Sequence, residues 1–127
     1  MKARNNLPFS FIFDHLFPLE VTVKPMFGMF AIYIGSKILL MLRQRNDHSE
    51  INGVWVATSR EYDDSLKRDI PSLCPISGLK ADQTDTQWQM VPSKADSFET
   101  DILELCRLIV KGDPRIGRIP KPGKKKR

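Results

Sequence analysis

The run Val23-Lys24-Pro25-Met26-Phe27-Gly28-Met29-Phe30-Ala31-Ile32-Tyr33-Ile34-Gly35 constrains the fold more than any other part of the chain. An apolar turn containing a glycine leads directly into an alternating pattern, and a period of two belongs to a strand. Gly28 is flanked by Phe27 and Met29, so the expectation is a backbone position that a Cβ disfavours, with Pro25 fixing the approach. Two strands are predicted over Met29 to Ile34 and Lys37 to Arg43. They meet at Gly35-Ser36, where glycine at the first central position suits a tight primed turn.

The remaining elements follow from period and punctuation. Phe9, Ile12, Phe13 and Leu16 recur at helical spacing, predicting a helix over Leu7 to Leu19 that ends at Pro18. Arg45 to Gly53 reads as a polar connection and Val54 to Ala57 as a third strand. Thr58-Ser59-Arg60-Glu61 has the form of a capping box, which would start a second helix running to about Ile70. Ile76 to Lys80 and Thr86 to Val91 read as a second hairpin around Asp82 to Asp85. Asp96 to Lys111 is the strongest helix, with Phe98, Ile102, Leu105, Cys106 and Ile109 on one face. Asp96 and Glu99 are expected to cap its start, and Gly112 its end. The order is αβββαββα, an α+β class with an antiparallel sheet covered by helices. Met26, Phe27, Ile32, Ile34, Trp55 and Val91 are expected to share one core with the last helix.

A chain of 127 residues, 41% apolar and 28% charged, fits one domain with a real core. No apolar run approaches the ~18 residues of a membrane span. Cys74 and Cys106 lie far apart and outside any CxxC pattern, so a reduced, cytoplasmic protein without a membrane partner is expected. The net charge of +5 is unevenly placed. Residues 112–127 hold seven basic residues and one acid, a charge of +6 that leaves −1 for residues 1–111. The first segment is therefore read as the folded domain and the second as a basic tail rich in Pro and Gly. Ile116 and Ile119 could hold the start of that tail against the body.

Lys24-Pro25-Met26-Phe27-Gly28, followed by Tyr33-Ile34-Gly35-Ser36-Lys37, resembles the N-terminal domain of TfoX-type proteins. In that family a Met-Phe-Gly motif precedes a strand that ends in a Tyr-x-x-Gly-Lys hairpin; here the lysine falls one residue later, at Lys37. The motif-level match covers residues 24–41 and the layout Leu7 to Lys111. The resemblance implies a stand-alone, bacterial-type regulatory domain, similar to the secretion-chaperone-like folds. It supplies no catalytic residues.

The residues themselves assemble no active site. Asp47-His48-Ser49-Glu50 has one histidine on a polar loop and lacks the spacing of a zinc site. Ser59 and Ser65 have no base at fixed spacing. Thr58, Ser59 and Arg60 at a helix start form a candidate anion site, although capping alone explains the first two. Met26, Phe27, Met29 and Phe30 form a candidate ligand lining, against the plainer reading of core packing. Lys121, Lys124, Lys125, Lys126 and Arg127 are candidate nucleic-acid contacts that would act by phosphate neutralisation. The expectation is a non-enzymatic module without a cofactor that acts on a protein partner. A sequence-independent nucleic-acid contact through the tail is the alternative, and small-ligand binding a second one.

Overall fold

The computed structural model describes residues 7–76 and 87–119. Among the described residues, three α-helices, α1 (Phe11–Leu16), α2 (Asp63–Asp69) and α3 (Phe98–Val110), accompany six strands. The strands are β1 (Thr22–Met26), β2 (Met29–Ile34), β3 (Lys37–Arg43), β4 (Gly53–Thr58), β5 (Cys74–Pro75) and β6 (Gln87–Pro92). They form one antiparallel sheet in the order β1-β2-β3-β4-β6-β5. The α+β class is as expected, but the order gains a strand, because Thr22–Met26 pairs with β2 instead of leading into it.

Pro25 hid that strand, since proline normally argues against one. The register explains how it is accommodated. Phe27 and Gly28 form a two-residue loop between the paired Met26 and Met29, which makes that pair hydrogen-bonded. Alternation then directs the backbone of Lys24 and Thr22 toward β2, and that of Val23 and Pro25 outward. Because β1 is the sheet edge, Pro25 loses no ladder bond and removes one donor from an open edge. Pro25→Val is therefore expected to increase self-association in light scattering at high protein concentration while leaving the melting temperature nearly unchanged. Unaltered scattering would show that the edge is protected in another way.

The central strands build two apolar layers. Ile32, Leu40, Leu42, Val54, Val56 and Val91 face the helices, where they meet Ile12, Leu16, Leu66, Ile102, Leu105 and Ile109. Met29, Met41, Trp55 and Met90 form a second cluster with Ala31, Ala57 and Ile38. The single core expected from sequence is thus two, divided by the pleat of the sheet. Trp55 belongs to the second, Met26 packs at its margin, and Ile34 packs at the margin of the first. A bulge adjusts the division. Ile32 pairs with Leu40 but Tyr33 pairs with Ile38, leaving Leu39 as the extra residue. Leu39 and Leu40 consequently both join the helix-side core, whereas Ile38 joins the other.

The helices depart from expectation mainly at their starts. α1 begins only at Phe11, after Phe9 has taken a left-handed φ of 54°. It ends because Phe17, which precedes Pro18, is forced to an extended ψ of 138°. Thr58 caps no helix: it is the last residue of β4, and the helical segment starts as a 3-10 turn at Arg60–Tyr62. α3 starts from Ser97 with no side-chain capping bond. Buried Asp101 instead accepts hydrogen bonds from the Ser97 hydroxyl at 3.0 Å and the Ser72 backbone at 3.0 Å, tying α3 to the chain after α2. At its other end the Gly112 amide bonds Ile109 and the Asp113 amide bonds Leu108, the two bonds of a Schellman ending, with Gly112 at φ 80°.

The fold continues past Lys111. Ile116 is buried in the helix-side core and Ile119 is exposed, so only the first of the two isoleucines anchors the chain. Beyond Leu40 and Val56 strands β3 and β4 no longer pair, and the segment Arg115–Arg118 is bonded to both. The Gly117 amide donates to the Ala57 carbonyl at 2.7 Å, and Arg118 exchanges two 2.9 Å bonds with Ile38. The expected strand over Ile76 to Lys80 and the turn at Asp82 to Asp85 fall almost wholly outside the described residues, and β5 lies just before them.

Candidate functional site

The β1–β2 turn presents an aromatic side chain to solvent. Phe27 is 84% exposed, the most exposed of the large apolar residues described. The expectation that it joins the core is overturned by the hairpin, which places it at the tip. Phe27 has φ 54° and Gly28 φ 75°, so both central residues are left-handed, as a I′ turn requires. Asn-Gly is the pair that suits such a turn; a bulky Phe in this region is strained and gains no burial in return. The φ of 75° at Gly28 is one that L side chains rarely adopt, in line with the expectation, whereas the nearest atom to a Cβ there is Arg45 Nη1, the movable end of an exposed side chain.

The loop after β3 supports this tip. Buried Arg43 donates to the carbonyls of Asp47 and His48, both at 3.0 Å, and to Asn52 Oδ1 at 2.7 Å. Asn52 also bridges the Arg45 amide and carbonyl. Arg45 then donates to the Asp47 carboxylate at 2.9 Å and reaches the Gly28 carbonyl at 3.5 Å. The hydrogen bond from Arg45 holds the Asp47 carboxyl below its ordinary range. A lowered carboxyl pKa stabilises the loop above the ordinary Asp pKa, and that contribution is lost as pH falls through the lowered value. His48 is exposed, 3.9 Å from Glu50, and among the described residues no group of three or more acidic, His or Cys side chains is placed to hold a metal.

The other sequence candidates are dispersed. Met26 and Met29 belong to the second cluster, Phe30 packs against the first and Phe27 faces solvent, so the four do not converge on a ligand. Thr58 is fully buried and donates its hydroxyl to the Arg115 carbonyl at 2.7 Å, which separates it from Ser59 and Arg60 as an anion donor. Lys121, Lys124, Lys125, Lys126 and Arg127 lie outside the described residues. Cys74 and Cys106 are unpaired thiols, and burial pushes that of Cys106 up to about 12. No described helix is long and apolar enough to cross a membrane.

Comparison with protein-family models, curated proteins and solved structures finds no match for this chain. The tip therefore stands on its geometry. Its signal in the sequence was Phe27-Gly28 between residues able to pair, Met26 and Met29, and reading it required accepting Pro25 within a strand.

Proposed function

We propose that this chain is a non-enzymatic, cytoplasmic binding module that docks on a protein partner through the Phe27–Gly28 tip. The exposed, left-handed Phe27 carries this reading. Folding alone would favour Asn there, and aromatic anchors of this kind fill pockets at protein interfaces. Three of the four buried polar or charged side chains add to it, because Arg43, Thr58 and Asp101 are engaged in holding loops and elements together. The resemblance of the Met26-Phe27-Gly28 motif to TfoX-type N-terminal domains is in keeping with a regulatory role.

Phe27→Asn separates function from stability. It is expected to raise the unfolding free energy by about 0.5–1 kcal/mol, by relieving the turn, while abolishing capture of the partner. The assay is affinity capture from a native extract with and without nuclease treatment. Nuclease-resistant capture by the unmodified chain, lost in the variant, is the expected result. Equal capture by both chains would remove the tip from the interface, and loss of capture on nuclease treatment would overturn the protein-partner reading.

A further inference from the structure

We infer that the sheet face turned away from the helices is a platform for single-stranded nucleic acid, where bases stack on Tyr33 and Trp88 while Lys24 and Arg118 take the phosphates. The hairpin tip has no part in it. Phe27 adjoins the Met29 end of β2, whereas Tyr33 stands beside Ile34 at the other end.

Strand pairing sets these residues in one row. Tyr33 stands opposite Ile38, Ile38 opposite Arg118, and Ala57 opposite Trp88. The bond from the Gly117 amide to the Ala57 carbonyl joins the segment of Arg118 to β4. Residues directly opposite one another share a face. Ile38 and Ala57 belong to the second apolar cluster, Tyr33 and Trp88 pack against it, and none of its residues comes from α1, α2 or α3. Lys24 enters the row from β1, with its Nζ 4.8 Å from the centre of the Tyr33 ring. Passing from β2 through β3, the C-terminal segment and β4 to β6 takes four strand spacings, about 19 Å. An extended strand laid across the sheet therefore meets a ring, a guanidinium and a second ring.

Exposure and charge fit such a ligand. Lys24 is exposed, and Tyr33, Trp88 and Arg118 are half-buried, so each presents a part to solvent. Trp88 is backed by Trp55, whose ring centre lies 6.3 Å away and whose indole N–H donates to the Ile51 carbonyl at 3.0 Å. Neither Lys24 nor Arg118 has an acidic partner among the described residues. None of the six strands contains Asp or Glu. Every base of a single strand offers a π-face to an aromatic ring and every phosphate a charge to a cation, whereas a duplex hides its base faces. A second copy of this face would instead bring its own Lys24 and Arg118 against like charges. When a base stacks on Tyr33 it takes the place of the Lys24 ammonium, and the flexible lysine stem carries that charge to the adjoining phosphate.

The test is titration of the full chain with labelled oligo(dT) and with a duplex of equal length, read by anisotropy and by tryptophan emission. The single strand is expected to bind more tightly and to quench the emission. Tyr33→Phe and Trp88→Phe keep a ring and should keep the affinity, but Trp88→Phe should lose the quench, because the remaining Trp55 is buried. Tyr33→Leu and Trp88→Leu fill the same face without a π-system and should weaken binding roughly 5- to 100-fold each. Lys24→Gln/Arg118→Gln should lower the magnitude of the log–log salt slope by about 1.4, at roughly 0.7 per phosphate of a single strand. Lys94→Gln/Lys111→Gln, which removes the same charge from exposed positions elsewhere, should leave it unchanged. If a leucine variant fails to fold, the quench and the salt slope decide. Equal affinity for duplex and single strand, or folded leucine variants that bind like the phenylalanine ones, would assign binding to charge alone and overturn the inference. So would a complex without quenching, equal slopes in the two double variants, or no binding at low salt.

Discussion

Leu105→Ala is expected to destabilise the protein by about 2–5 kcal/mol in denaturant unfolding. Leu105 has no exposed surface and sits on α3 among Ile102, Leu108 and Ile109, under the β-strand residues of the helix-side core. Truncation removes buried methyl and methylene groups and leaves a cavity that a sheet fixed by β3 and β4 cannot readily close. Leu103, on the same helix but 41% exposed, supplies the control. Leu103→Ala should change stability by no more than about 0.5 kcal/mol. A Leu105 variant that loses less than 1 kcal/mol would show that α3 does not present this face to the sheet. A loss in the expected range is a large share of the total stability of a domain this size.

Gly53→Ala is expected to cost roughly 3 kcal/mol or more, or to leave the protein insoluble. Gly53 opens β4 with φ 148°, a conformation that L residues rarely adopt. A Cβ there would stand 2.2 Å from the Val91 carbonyl oxygen and 2.9 Å from the Ser93 amide, both backbone atoms of the neighbouring strand and its exit. The strand cannot yield without breaking the pairing of Gly53 with Pro92 and the bond from the Ser93 amide to the Asn52 carbonyl. Gly35→Ala is the contrast: its φ of 58° is strained for Ala, but a Cβ meets nothing within 4 Å. It should cost only about 1 kcal/mol. Equal losses in the two variants would mean that backbone conformation alone, and not the close approach of β6, sets the cost at Gly53.

What the sequence determined by itself was whatever rests on neighbours a few residues apart. The period-two runs after Gly28, the Gly35-Ser36 turn and the Phe98-Ile102-Leu105-Ile109 stripe are local patterns, and each formed the element they imply. The α+β class followed from their order. Long-range partners decided the rest. Thr58 had the local signature of a helix cap, but the Arg115 carbonyl, 57 positions away, takes its hydroxyl and holds it in β4. Gly112 was read as the end of the fold, yet Ile116 returns to the core, and Gly117 and Arg118 bond β4 and β3. Phe27 and Met29 look equally apolar in sequence. Register alone places one at a hairpin tip and the other under the sheet, since a shift of one position reverses the side to which a residue points. The candidate tip depends on a decision of this second kind, because Phe27 reaches it only through a strand that contains Pro25.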